Sequence, residues 1–524
     1  MGGALLFFVR EHHTLYRAAR RTGYDEVMAE SLGSKIAAGA AWMVVFKLLD
    51  RSIGIVSVVI LARLLVPADF GLVALATAMI AVVELLSAFN FDMALIQKQQ
   101  ATTAYYDTAW TLNVAMATVC ALLVVVAAFP AAAFYGDSRL GPVMLLLALA
   151  TWIRGFENVG VVTFRKELKL DREFRLLLIK RIGVFLTTIS IALAIRSHWA
   201  LVAGILAGSV GGVVLSYLFH PFRPRFDLSA RDELLHFSKW MVFSNVIDTL
   251  GSRAADLIIG KTLGPGPLGV FNLAYEISHL PSTVLSAPVN RAVYPGYAKV
   301  ASDQTRLAAQ FLGVLGLTAL LTAPVAFGIA SVAPLLVPLL LGDAWLEAVP
   351  LMTILALSGL LASLRTNAGY VFLALGRSGL LTVMNAVRFA VFVPALVVGT
   401  VYFGARGAAW TMFGASIVML PVTHYFMHRV LRIRWAEQGK VLWRPAVAAI
   451  GMTLLVREYL AWTEHGFAPG NAVLALASAV VLGIAAYVSF TGLLWAVSGF
   501  PQSAEARVMG VLRSFLGSLR EKAG

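Results

Sequence analysis

The chain has 524 residues, of which 59% are apolar and only 13% charged. A bilayer-spanning helix takes roughly 20 mostly apolar residues, so this composition can supply up to about 15 of them and leaves little for a water-soluble domain. A soluble enzyme, a disulfide scaffold and a disordered chain are excluded, and the composition is that of an all-α polytopic membrane protein.

Lys and Arg number 42 against 28 Asp and Glu, a formal net charge of +14. In a soluble chain that excess would suggest nucleic acid; in a membrane chain it follows from the concentration of Lys and Arg in cytoplasmic loops, and no nucleic-acid partner is expected.

In chain order, residues 1–35 read as a cytoplasmic arm. Leu5 to Val9 is too short for a signal-peptide core and lacks a cleavage site. From Met28 the chain leads directly into the first span, so Met1–Val27 is either an overcalled start or an amphipathic arm. Apolar runs then predict helices over 40–62, 72–96, 109–134, 141–163, 176–195 and 199–219. They continue over 238–262, 271–295, 308–337, 346–373, 379–402, 406–428, 443–461 and 471–497, about 14 in all. The expected layout is an N-lobe of six helices (36–222), a C-lobe of six (223–435), a C-terminal pair (436–498) and a cytoplasmic tail (499–524).

Single residues add expectations. Cys120 alone makes no disulfide and no cysteine-based metal site. Pro324, Pro334 and Pro338, with Gly328, predict a kink or break in the ninth span. Trp345 and Trp462 read as interfacial anchors. Trp152, Trp240 and Trp410 could stack on sugars, against a default role in helix packing. His424 and His428 stand one turn apart but lack further ligands, so no metal is expected.

With the N-terminus inside, thirty basic residues fall in loops on the cytoplasmic side. Six fall on the other: Arg63, Arg139, Arg196, Lys261, Arg406 and Arg457. The asymmetry places both termini in the cytoplasm. None of the outer loops is long enough to fold alone, which disfavours a membrane glycosyltransferase or polymerase with an outer catalytic loop.

The chain also repeats itself. Trp42-Met43-Val44 recurs as Trp240-Met241-Val242, and at the same offset of 198 Asp50 meets Asp248, Pro67 meets Pro265 and Gly71 meets Gly269. A weaker echo links Asn158-Val159-Gly160 with Asn367-Ala368-Gly369. Six spans separate the copies, so both enter the membrane from the same side, as in transporters built from parallel repeats with the substrate site at the repeat interface.

The first copy, running from Ala62 through Pro67-Ala68-Asp69-Phe70-Gly71 to Ala76, resembles the first-loop signature of the polysaccharide transporter (Wzx-like) flippases. Leu263-Gly264-Pro265, Gly269-Val270-Phe271, Pro288 and Val293-Tyr294-Pro295 resemble that family's second-lobe pattern, and Phe164-Arg165-Lys166-Glu167-Leu168 fits it too. The resemblance covers roughly residues 31–435. It implies the 14-helix fold of the multidrug/oligosaccharidyl-lipid/polysaccharide exporter superfamily and no enzymatic activity. It also implies the flipping of undecaprenyl-pyrophosphate-linked oligosaccharides across the inner membrane by alternating access, with a polysaccharide polymerase or export machinery as partner.

Six basic residues fall inside predicted spans: Lys47, Arg51, Arg154, Arg253, Arg365 and Arg388. A charge at the centre of an isolated helix costs about 2.5–3.5 kcal/mol, so these residues need a cavity or a partner. One reading is a cationic lumen that replaces the water around a pyrophosphate, with Arg51 and Arg253 as its leading members. The other is local neutralisation, since Arg154 lies three residues before Glu157, Arg253 three before Asp256, and Asp50 beside Arg51.

The acids Asp50, Glu84, Glu157, Asp248, Asp256 and Glu276 also fall within spans and are candidates for coupling to a proton or sodium gradient; no cofactor is expected. A lipid II flippase is a close physical alternative, because its substrate also carries pyrophosphate. A drug or cation antiporter would favour an acidic lumen and twelve helices.

Overall fold

A chain in hydrocarbon must bond its own amides and carbonyls, and a helix does so residue by residue. The computed structural model describes residues 23–85, 91–98, 101–464, 472–501, 503–510 and 513–514, and within them every regular element is helical. Most of the expected N-terminal arm, including the stretch before Gly23, and residues 515–524 of the expected tail lie outside the described residues.

Helix α1 (Gly23–Leu64) gives way after two residues to α2 (Pro67–Glu84). Pro67 takes the first helical position, where its missing N–H costs nothing, and the Asp69 carboxylate accepts from the Val66 amide at 3.3 Å. The repeat-related Pro265 opens its own helix in the same way. Then come α3 (Phe91–Gln97), α4 (Thr103–Tyr135) and α5 (Leu140–Arg154).

The expected span 141–163 is broken. After α5 the chain bends by 64° into a short turn and α6 (Val162–Lys166). Asn158 makes the bend tolerable: fully buried, it donates from Nδ2 to the Phe222 carbonyl at 2.7 Å and accepts from the Gly160 amide at 2.9 Å. These bonds replace part of the helical ladder that the break removes.

Helices α7 (Leu170–Ile195) and α8 (Trp199–Phe219) follow, divided at Arg196–His198 as the sequence suggests. The extended segment 220–230 is tied down along α4, where the Arg225 amide donates to Asp107 at 2.7 Å and the Asp227 amide to Thr111 at 3.0 Å. Next are α9 (Arg231–Leu263) and α10 (Pro265–Ser278), a π-helical turn at Pro281–Ser286, and α11 (Ala287–Lys299). There follow α12 (Gln304–Leu340), α13 (Ala348–Ala374), α14 (Ser378–Leu431), α15 (Trp435–Glu464) and α16 (Ala472–Val497), and residues 504–510 are helical again. Gly404, at φ 63° and ψ −151°, splits α14 into two arms that match the separate spans expected at 379–402 and 406–428.

Among the described residues, nine helices are long and apolar enough to cross a bilayer, and the bent pair makes a tenth. Helices α1 and α9 are long, at 42 and 33 residues, but carry charged side chains. The chain divides into two compact units, one ending at Arg253 and the other beginning at Ala254. In the first, α7 packs on α1 and α8, and α5 on α4 and α8. In the second, α12 packs on α13, α15 and α16, and α13 also on α10, α11 and α14. Large apolar side chains such as Val126, Leu218, Tyr402, Phe403 and Val497 are more than 70% exposed, which in water would be an aggregation liability and in a bilayer is solvation.

The prolines of the ninth span do not interrupt it: α12 runs unbroken from Gln304 to Leu340. Pro324 withholds the N–H that would bond the Leu320 carbonyl. The buried Tyr487 of α16 supplies the missing donor, its hydroxyl lying 2.9 Å from the Leu320 oxygen. Tyr487→Phe should therefore leave a buried carbonyl unbonded and cost about 1–3 kcal/mol in a reversible melt of the purified protein. Pro324→Ala restores the backbone donor, so the cost of Tyr487→Phe should largely vanish in the double variant; an equal cost in both backgrounds would show that the phenol does not serve this carbonyl.

Candidate functional site

Charges inside the first unit are paired across helices and not along them. Asp50 of α1 takes Arg181 of α7 at 2.9 Å. Glu84 of α2 takes Arg154 of α5 at 2.5 Å and accepts from the Thr151 hydroxyl at 3.1 Å. Glu157, in the bend after α5, takes Lys180 of α7 at 2.7 Å. Gly212 of α8 makes room for that last pair, because a Cβ there would stand 2.0 Å from Glu157 Oε1 and 2.5 Å from Lys180 Nζ.

Local neutralisation of Arg154 by Glu157 and of Asp50 by Arg51 is therefore corrected. Residues three apart in a helix can meet, but the helix ends after Arg154, and the break carries Glu157 off that face toward α7. The bases Lys180 and Arg181 are what sequence reasoning missed. Counted with the basic residues of the cytoplasmic side, they stand well inside α7 and within the span expected at 176–195. Charged residues inside an apolar run were the available signal.

Lys47 and Arg51 share α1, the first exposed and the second half-buried. Arg253 is half-buried on α9, and Asp256 is buried one turn further on. Asp248 also lies on α9, with its side chain outside the described residues, and Glu276 is exposed on α10. The side chain of Trp240 is likewise not described.

The second unit gathers positive charge. Arg365 of α13 and Arg388 of α14 are half-buried and close enough for one charge to act on the other. Arg388 also acts on Tyr275 and His279, whose rings stack at 3.8 Å between centroids where α10 gives way to the π-helical turn. Among the described residues, neither Arg365 nor Arg388 is in an ion pair. Two guanidinium groups so placed offer five N–H donors each, in a setting of low dielectric that magnifies both their mutual repulsion and their attraction for an anion.

Other expectations resolve differently. Trp345 is fully buried in the turn before α13 and is no interfacial anchor, whereas Trp462 is 71% exposed. His424 stacks on Trp435 at 3.9 Å, and His428 meets the Ile433 carbonyl at 3.1 Å. No group of three His, Cys, Asp or Glu side chains converges on a metal position among the described residues. Outside the spans, Lys98 pairs with Glu233 at 2.6 Å, and both bond the Tyr105 hydroxyl, which holds the Glu233 carboxyl below its ordinary range. Arg139 does the same to Asp137 between α4 and α5.

Breaking one cross-helix pair should cost more than removing it whole. Arg181→Met strands Asp50 and should destabilise the protein by about 1–3 kcal/mol, a partly exposed pair lying below the fully buried range. Arg181→Met with Asp50→Leu should recover most of that loss. A double variant less stable than the single would show that Asp50 is held by something else.

The structure resembles solved transporters. Against the lipid II flippase MurJ in an inward closed conformation, the TM-score is 0.70 at 12% identity, covering 86% of this chain and 98% of that one. Among curated proteins, the lipopolysaccharide biosynthesis protein WzxC of Escherichia coli (strain K12) is 27% identical over 433 residues, 79% of this chain and 85% of the relative. The teichuronic acid biosynthesis protein TuaB of Bacillus subtilis (strain 168) is 24% identical over 484 residues, 90% of this chain and 97% of the relative. The family model described as "Polysaccharide biosynthesis protein" matches residues 60–350. That match spans more than half of the sequence and includes two of the three interior ion pairs of the first unit, so this multi-pass membrane chain belongs to the polysaccharide biosynthesis protein family.

Proposed function

We propose that the protein is a flippase that carries undecaprenyl-pyrophosphate-linked oligosaccharide repeat units from the cytoplasmic to the outer leaflet of the inner membrane, for exopolysaccharide, capsule or O-antigen synthesis. In this reading about 14 helices cross the membrane, both termini are cytoplasmic, and two lobes alternate in access. The observation that carries it is the pair of interior guanidinium groups, Arg365 and Arg388, which are in no ion pair among the described residues and are close enough for one charge to act on the other. A pyrophosphate stripped of water needs donors in its place, and a planar guanidinium bonds phosphate oxygens in pairs. Lys47 and Arg51 on α1 and Arg253 on α9 are the other basic residues placed in this reading by their position within the spans. Arg154 is tied to Glu84 and contributes less free charge.

The acids divide in the same way. Asp50, Glu84 and Glu157 each face a base at 2.9 Å or less, which favours a permanent carboxylate over a proton carrier. Asp248, Asp256 and Glu276 stay candidates for coupling to a proton or sodium gradient by their position within predicted spans alone.

Removing one charge-assisted contact worth about 1.5–3 kcal/mol should lower export roughly 10- to 150-fold at unchanged protein level. Arg365→Ala and Arg388→Ala should show this in a cell whose own flippase is deleted, read as surface polysaccharide, and Arg51→Ala and Arg253→Ala should follow. Normal export by all four variants would sink the cationic-site reading. In proteoliposomes, the same lipid-linked oligosaccharide should outcompete lipid II for flipping; the reverse order would move the assignment to lipid II. Flipping that ignores imposed pH and sodium gradients would remove the coupling proposal.

A further inference from the structure

The two arms of α14 meet through glycines. Beyond the turn at Gly404, Gly407 returns so close to Gly399 that a Cβ on Gly407 would stand 1.9 Å from the Gly399 carbonyl oxygen. Close by, the Thr411 hydroxyl donates to the Ala395 carbonyl on the opposite arm at 3.3 Å. With no side chains on this floor, the arms leave a groove of about 850 Å³ walled by Pro394, Val398, Phe403 and Trp410. Phe403 is 73% and Trp410 58% exposed, so the walls continue into the apolar exterior of the helices.

The groove has one charge. Arg406 lines it beside the turn, is exposed, and has no acidic partner among the described residues. The turn of a helical pair marks the membrane surface, where an indole such as that of Trp410 is also favoured. Water in so apolar a hollow would lack partners, and the molecule at hand to fill it is a bilayer lipid. A zwitterionic headgroup brings its own counter-charge to its phosphate; an anionic one needs a cation from the protein.

We propose that this groove holds an acyl chain of one anionic phospholipid, whose phosphate is bound by Arg406. The site is separate from the interior arginines and does not depend on the substrate proposed above. Lys would supply the charge without the paired geometry of a guanidinium, so Arg406→Lys keeps part of the preference and Arg406→Gln loses it.

Native mass spectrometry of the full chain, released from nanodiscs of equal phosphatidylglycerol and phosphatidylethanolamine, tests this. The unaltered protein should retain phosphatidylglycerol preferentially, and Arg406→Gln should cut that preference on the order of tenfold, the scale of one charge-assisted contact. Val398→Trp fills the groove from an exposed wall position and should lower retention of both lipids. An unchanged preference in Arg406→Gln, or unchanged retention in Val398→Trp, overturns the proposal. So does displacement of phosphatidylglycerol by an equal mole fraction of undecaprenyl phosphate, which would make the groove a polyprenyl site. Melting temperatures near that of the unaltered protein confirm that both variants are folded.

Discussion

Hydrocarbon offers no partner to a polar group, and this one constraint shapes every irregular feature of the fold. Where α5 breaks, Asn158 closes the gap with side-chain bonds to Gly160 and Phe222. Its repeat counterpart Asn367 is also buried; it accepts from the Tyr297 hydroxyl at 2.7 Å and donates to the Phe311 carbonyl at 3.3 Å. The two asparagines sit in different backbone settings, one in a break and one within a helix. What they share is the joining of elements that apolar packing alone would leave free to slide.

The same constraint sorts the charges. In the first unit, three carboxylates each hold a base on another helix, so the ion pairs set which helices are neighbours and leave little field for a ligand. In the second, two guanidinium groups on α13 and α14 are close enough for one charge to act on the other, and neither is in an ion pair among the described residues. Such an arrangement is unfavourable for folding alone, since like charges at low dielectric repel. Proteins keep unfavourable groups of this kind where a ligand completes them. The paired charges are thus part of what builds the fold, while an anion-binding role for Arg365 and Arg388 is the proposal made above.

Much of this was legible in the sequence, and the failures have physical causes. Most predicted intervals fall on helices because hydropathy reports directly on what can enter a bilayer, while 141–163 and 271–295 are each interrupted. The spans expected to begin at 72 and 271 belong to helices that begin at Pro67 and Pro265, because a proline opens a helix before the apolar run starts. The ion pairs were not legible, because their partners lie 23 to 131 residues apart on different elements, and spacing along one helix says nothing about a neighbouring one. Arg154 is instructive: its position three residues before Glu157 pointed to a local pair, but the bend at Gly155 sent the two to different helices. Trp345 was misread for the reverse reason, since a tryptophan near a span end has two destinations and composition alone does not choose between them. The interior basic residues stood out because charge in an apolar run is rare; which of them are compensated required coordinates.

The bond from Tyr487 to Leu320 carries a consequence for how the chain is made. At the proline, α12 is incomplete by itself, and its missing donor lies 167 residues downstream. Synthesis at about 5–20 residues per second delivers that donor on the order of ten to thirty seconds after α12 has emerged. During that interval the helix is in the membrane with one carbonyl bare, held only by whatever neighbours have already inserted. Helix α16 is thus a closing piece for an earlier one, and α12 stays incomplete until α16 has been made and inserted.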